Sequence, residues 1–391
     1  MSESGIRRFL LNAGVQRSSP YQSLADHGFS PEEVKATIIE VLEPYFEHRE
    51  QLAAHAVEHL ANEAINVVRL QRDPRYHETL EASLEIYRRA KASNAQRCFE
   101  IIGEWQAKIL KGLSEYWSMY QLERDKSIFE LEEFMSETAR IIGGVIEAAI
   151  QPYVRELLGQ AELIAGRDST FSAIRVLDFG RCVVMLREAS LLPHVCDPRP
   201  WAVSLNNWRN MAQHHDFQAQ DGSIIGTYGK HPNYRTISLS RQEMLGAAEY
   251  FVQLLGALNV ARAVFVFDNL DEARKFLPAI DMRPELKALH LSSAFATQGF
   301  VLEDLVVDDG SVRGVVRDAT DGPLVGRSAH ASQFVFAIWE AFPRDIVSLE
   351  YRTRDSSDGM LFESKGEVCR AIREGVLDPE VLAEKMKYSP L

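Results

Sequence analysis

Between Ser30 and Ile164 the apolar residues of this chain recur at intervals of three and four, and strand-like alternation interrupts them nowhere. That period lays apolar side chains along one face of a helix and does not suit a half-buried strand. Ser30-Pro31-Glu32-Glu33 opens the first stripe with an N-cap, a first-turn proline and two acids at the positive end of the helix dipole. Val34, Ile38, Val41, Leu42 and Tyr45 carry it toward Leu70, with Pro44 expected to interrupt it and Asp73-Pro74 to end it. Further helices are expected over about 76–92, 95–121 and 128–164, the last on Leu131, Phe134, Ile142, Val145, Ala149 and their neighbours. Residues 30–165 should therefore form an antiparallel helical assembly.

Gly166-Arg167-Asp168-Ser169 breaks the pattern, and Ser169 or Thr170 is placed to cap a helix over 170–190. The run Leu192–Pro200 reads as a turn that starts another helix at Pro200 or Trp201. Residues 224–240 read as a small β-hairpin, and Ser240 with Glu243 forms a capping box for a helix reaching about Val260. Composition shifts near Met282-Arg283-Pro284. A second hairpin is expected around Asp308-Asp309-Gly310-Ser311, strand-like runs over 333–342 and 346–352, and a terminal helix over Val376–Met386. The expected fold class is mainly α: an N-terminal helical region (1–125), a central helical domain carrying a small β-hairpin (126–280), and a C-terminal α+β domain (281–391). Residues 1–29 read as an irregular lead-in.

Composition narrows the classes of function. Apolar residues at 46% and charged residues at 25% are the balance of a globular chain. Uninterrupted apolar runs fall short of the eighteen or so residues of a membrane span, and the opening MSESGIRRFLL lacks the apolar length of a secretory signal, so a cytoplasmic protein without a membrane partner is expected. Cys98, Cys182, Cys196 and Cys369 lie far apart with no C-x-x-C pair, which favours buried reduced thiols. A net charge of -13 argues against a broad grip on a phosphate backbone, so any nucleic-acid site must be local.

One segment supplies such a site. From Trp201 to Arg241 four basic residues (Arg209, Lys230, Arg235, Arg241) face two acids (Asp216, Asp221), with His214, His215 and His231 in addition. Within it, Asn206-Asn207-Trp208-Arg209-Asn210-Met211-Ala212-Gln213-His214-His215-Asp216 places Asn210 directly after Arg209 and His214 five residues from it. This resembles the R-N-x-x-x-H motif of the HEPN superfamily, small helical domains that include many metal-independent ribonucleases. The resemblance covers about residues 128–265, where a long helix, a second helix, the Arg–His segment, a hairpin insert and a closing helix follow in order.

The resemblance implies a dimeric ribonuclease needing no cofactor or metal, of the kind that serves as a toxin or bacterial antiviral effector with a regulatory partner or antitoxin. His214 suits proton transfer near neutral pH. Arg209 offers a permanently charged fork to the phosphate, and Asn210 positions either. His215, Lys230 and Arg235 are the expected substrate-binding residues. Five positions separate Arg209 and His214 by about 140° around a helix. Either the helix loosens before His214 or a second copy completes the site, and pairing of two domains is what the resemblance implies.

Rival readings are a non-catalytic HEPN-like sensor or interaction module, and a zinc hydrolase. The zinc reading uses His55-Ala56-Val57-Glu58-His59, an H-x-x-E-H pattern whose histidines share a helix face, with Glu132 or Glu133 as third ligand. His215-Asp216 also echoes the HD doublet of metal-dependent phosphohydrolases, with His194 and Asp268 as companions. P-loop, G-x-G-x-x-G and G-x-S-x-G patterns are absent from the sequence.

Overall fold

The computed structural model describes residue 21 and residues 29–120, 129–167, 170–278, 282–320, 322–354 and 359–391. They fall into two compact units, one of residues 1–44, 52–62 and 281–391, the other of residues 45–51 and 63–280. The boundary expected at 125/126 lies outside the described residues, and the helices on both sides of it belong to the same unit. Residues 1–125 are thus not a domain of their own. The lead-in over 1–29 lies almost wholly outside the described residues.

The larger unit is built from long helices. Asp73 caps α1 (Pro74–Ser93) by accepting the Arg75 N–H at 3.0 Å. It is followed by α2 (Ala95–Tyr120), α3 (Leu131–Gly144) and α4 (Gln151–Ile164). The single helix expected over 128–164 is widened in its middle into a π-helical segment, Val145–Ile150, where the Gln151 N–H reaches back five residues to the Ile146 carbonyl. Pro152 explains this. It has no N–H for the Ala148 carbonyl, and its ring crowds that oxygen, so the helix relaxes to a wider turn. The freed carbonyl faces α2 at Gly112, where a Cβ would sit 1.9 Å from the Ala148 oxygen. Only glycine permits that approach.

The expected 170–190 helix breaks after Val176 into Phe171–Val176 and Phe179–Glu188, the first capped by Thr170. The helix expected from Pro200 or Trp201 begins later, as α5 (Leu205–Gln213), because Ala202 takes a left-handed φ of 53° that a helical turn cannot contain. Instead of a two-stranded hairpin there is a three-stranded antiparallel sheet: β1 (Phe217–Gln220), β2 (Ser223–Lys230) and β3 (Asn233–Leu239). The first turn is Asp221-Gly222, both at positive φ, the chemistry of a tight hairpin. Ser240 and Glu243 then close the capping box of α6 (Arg241–Asp268).

The helix α6 is mostly apolar in its second half, with Asn259, Arg262 and Asp268 as exceptions, and α1 and α3 pack against it. Its length and composition are those of a membrane-crossing helix, and 61% of its most apolar window is buried within the structure. Where α1, α2, α4 and α6 meet, Arg262 donates through Nε to both Glu156 oxygens at 2.9 and 3.1 Å and through Nη2 to the Ile102 carbonyl at 3.0 Å. Tyr87 donates its hydroxyl to the same carboxylate at 2.6 Å. Burial pushes the Glu156 carboxyl above its ordinary range, and the Arg262 charge and the two hydrogen bonds oppose that rise.

The smaller unit carries α7 (Pro284–Ala296) and a five-stranded sheet in chain order: β4 (Phe300–Val307), β5 (Ser311–Asp318), β6 (Ile346–Arg352), β7 (Gly359–Lys365) and β8 (Lys387–Pro390). Strands β5 and β6 are parallel and the other neighbours antiparallel. A parallel pair needs a long crossover, supplied by the helices Leu324–Ser332 and Phe334–Ala341. The run 333–342 is therefore helical and not a strand. Phe334, Val335, Ile338 and Trp339 are its buried residues, spaced as a helix face. The terminal helix expected over 376–386 is only Val381–Lys385, and a helix at Gly366–Arg373 precedes it. The helix Pro31–Leu42, with its Ser30–Glu33 capping box, belongs to this unit. All four cysteines are buried and unpaired.

Candidate active site

The helix α5 turns Leu205, Trp208, Met211 and Ala212 inward. Trp208 is fully buried and meets Trp201, Phe217 and Phe251 through ring contacts. Met211 lies against β2 at Gly226, where a Cβ would come within 2.9 Å of its sulfur. Ala212 and Gln213 abut Gly143 on α3. This packing fixes the helix and leaves its remaining face for polar residues.

On that face Arg209 and Asn210 are half-buried. Arg209 donates through Nη1 to the Asn210 side-chain oxygen at 3.2 Å, and through Nε to the carboxylate of Glu147. Glu147 lies in the π-helical segment, so the widened turn is the element that presents a carboxylate to the arginine. Glu147 did not figure among the residues expected at the site. Its signal in the sequence is Pro152 five residues later.

The helix ends directly before His214, whose N–H still donates to the Asn210 carbonyl at 2.9 Å. His215 follows at φ 58°, and the Asp216 N–H returns to the Met211 carbonyl at 3.0 Å. This is a Schellman closure with histidine at the left-handed position that glycine usually fills. Both imidazoles are exposed. Among the described residues no hydrogen bond joins Arg209 to His214.

The other expected substrate-binding residues lie further off. Lys230 is four residues beyond Gly226 on β2, about 13 Å along a strand, next to the turn into β3. Arg235 stands opposite Tyr228 on β3. Both are exposed.

The metal readings lose their geometry. The helix Arg49–His55 ends at the first histidine of H-x-x-E-H, and 56–59 form turns, so the shared helix face does not exist. The His55 and His59 rings lie 5.5 Å apart, but Glu132 and Glu133 belong to the other unit. No group of three potential metal-ligating side chains occurs among the described residues. Of the HD companions, Asp268 accepts the backbone N–H groups of Glu47 and His48 at 3.0 and 2.8 Å, and His194 pairs with Glu78 at 2.7 Å. Neither is joined to His215.

Compared with family models, curated proteins and solved structures, the chain matches none.

Proposed function

We propose that this chain is a HEPN-type endoribonuclease that cleaves RNA by attack of the ribose 2′-OH and uses no metal cofactor. The observation that carries the reading is the segment Arg209-Asn210-x-x-x-His214: an arginine oriented by its neighbouring asparagine, and an exposed imidazole at the end of the same short helix. In the reaction the 2′-oxygen bonds to phosphorus as the P–O5′ bond breaks. His214 takes the 2′-OH proton, the departing 5′-oxygen takes a proton from water, and Arg209 balances the charge that builds on the phosphate. For Arg209 to reach a phosphate, Glu147 must release it. That exchange supports a protein held inactive until a signal or partner acts, as in a toxin or antiviral effector of the cytoplasm paired with a regulatory protein or antitoxin.

The offset between Arg209 and His214 supports a site shared by two copies, each giving the group that the other lacks. Sedimentation should show a homodimer at micromolar concentration, and a strict monomer with full cleavage activity would contradict the shared site. The Arg209–Glu147 pair also favours a second reading, a non-catalytic interaction module in which the pair is structural. Incubating the whole protein with mixed single-stranded RNA in EDTA separates the two. The ribonuclease degrades the RNA, and the module leaves it intact.

A further inference from the structure

Beside the π-helical segment, a groove of about 330 Å³ runs between α2 and α4, lined among others by Trp105, Lys108, Glu147, Gln151, Arg155 and Arg175. Two groups in it are incompletely answered, Arg155 for want of a counter-charge and Trp105 for want of an acceptor. Arg155 is 7% exposed, and its guanidinium donates to the Ile174 carbonyl at 2.6 Å, the Leu177 carbonyl at 2.9 Å and the Cys182 sulfur at 3.6 Å, and to the Gln151 side-chain oxygen at 3.3 Å once that amide is turned over. It faces no carboxylate among the described residues, and a buried charge without a counter-charge is costly. Trp105 is 3% exposed, and its indole N–H has no acceptor among the described residues. Buried donors of this kind normally hold a partner.

The charge of the groove points the same way. Its acids are already engaged, Glu147 by Arg209 and Glu115 by Lys111 at 3.5 Å. Lys108, Arg155 and Arg175 remain without an acidic partner among the described residues, and four cations against two acids leave a net charge of +2. A phosphate monoester carries roughly −1.5 to −2 at neutral pH and accepts several hydrogen bonds at once. A carboxylate would answer only half of that charge.

We propose that this groove is a binding site for a phosphate monoester, its oxygens meeting Trp105 Nε1, Lys108 and Arg175, with Arg155 adding its charge. Because Glu147 lines the same groove and holds Arg209, a ligand there sits next to the group that occupies the arginine. The site stands on its own charges and donors and does not depend on RNA cleavage.

The test is titration of the whole protein with inorganic phosphate and adenosine 5′-monophosphate, with adenosine as the uncharged control, read by calorimetry and by indole emission. A 5′-phosphorylated DNA oligonucleotide and its 5′-hydroxyl twin, which have no 2′-OH to attack, show whether the monoester comes from a nucleic-acid end or a free small molecule. Saturable binding at about 1 mM or tighter is expected for a monoester probe and not for its control. Lys108→Glu and Arg175→Glu alter exposed residues and should each weaken binding at least about tenfold, the scale of a charge-assisted hydrogen bond. Trp105→Phe keeps a ring and removes the N–H, and should weaken it less. If every monoester probe fails to saturate, or binds the variants as well as the parent, the proposal is overturned.

Discussion

His214→Ala is expected to slow RNA cleavage by about 10²–10⁴-fold, the scale on which a general acid–base group contributes. The side chain is exposed and lies past the end of α5, and only its backbone N–H holds the helix terminus. The variant should therefore stay folded, with a stability change within about 0.5 kcal/mol. Arg209→Lys should fail as well, although it keeps the charge, because an ammonium cannot replace a planar fork held by Asn210 and presented to a phosphate. Rates on a defined single-stranded RNA, with circular dichroism as the folding control, give both results. Unchanged cleavage by His214→Ala would remove the imidazole from the mechanism.

Replacing Glu156 by alanine is expected to cost about 3–5 kcal/mol, the penalty for stranding one member of a buried ion pair. Glu156 is fully buried, and its loss leaves Arg262 charged at 8% exposure and the Tyr87 hydroxyl without its acceptor. Against a typical stability of about 5–15 kcal/mol, that is enough to leave the larger unit marginal. Urea unfolding of the variant should show a midpoint far below the parent's. A shift under about 1 kcal/mol would mean that water reaches the pair in solution. Glu156→Gln, which keeps an acceptor for Tyr87 and Arg262, should lose less.

Much of the helical architecture was legible because its signals are local. The Ser30 and Ser240 capping boxes form as their spacing predicts, and the stripes over 74–93 and 95–120 become helices within a residue or two of expectation. The misreadings arose where a long-range constraint decides. Phe334 to Phe342 is as apolar and β-prone as a strand, and it is helical because β5 and β6 pair in parallel and require a crossover. Four residues of β1 with one buried apolar side chain are too few to register as a strand, although Asp221-Gly222 marks its turn. The boundary expected near residue 125 rests on where the resemblance begins, at about residue 128. It divides helices whose buried polar groups, Tyr87 with Glu156 and Arg262, bond across it.

At the candidate site, Arg209, Asn210 and His214 were visible as a motif, but their surroundings were not. The carboxylate that meets Arg209 is delivered by a helix widened at a proline, which periodicity alone does not reveal. Arg155 and Glu156 stand side by side within an otherwise apolar stretch from Pro152 to Leu158. That anomaly is readable, but which of the two finds an ionic partner is settled only by packing.

The most direct measurement of the proposed chemistry is the identity of the ends that the protein leaves on a defined RNA cleaved in EDTA. Attack by the 2′-OH with His214 as proton acceptor requires a 2′,3′-cyclic phosphate on one fragment and a 5′-hydroxyl on the other. Fragments ending in 3′-hydroxyl, or cleavage abolished by EDTA and restored by a divalent metal, would contradict it.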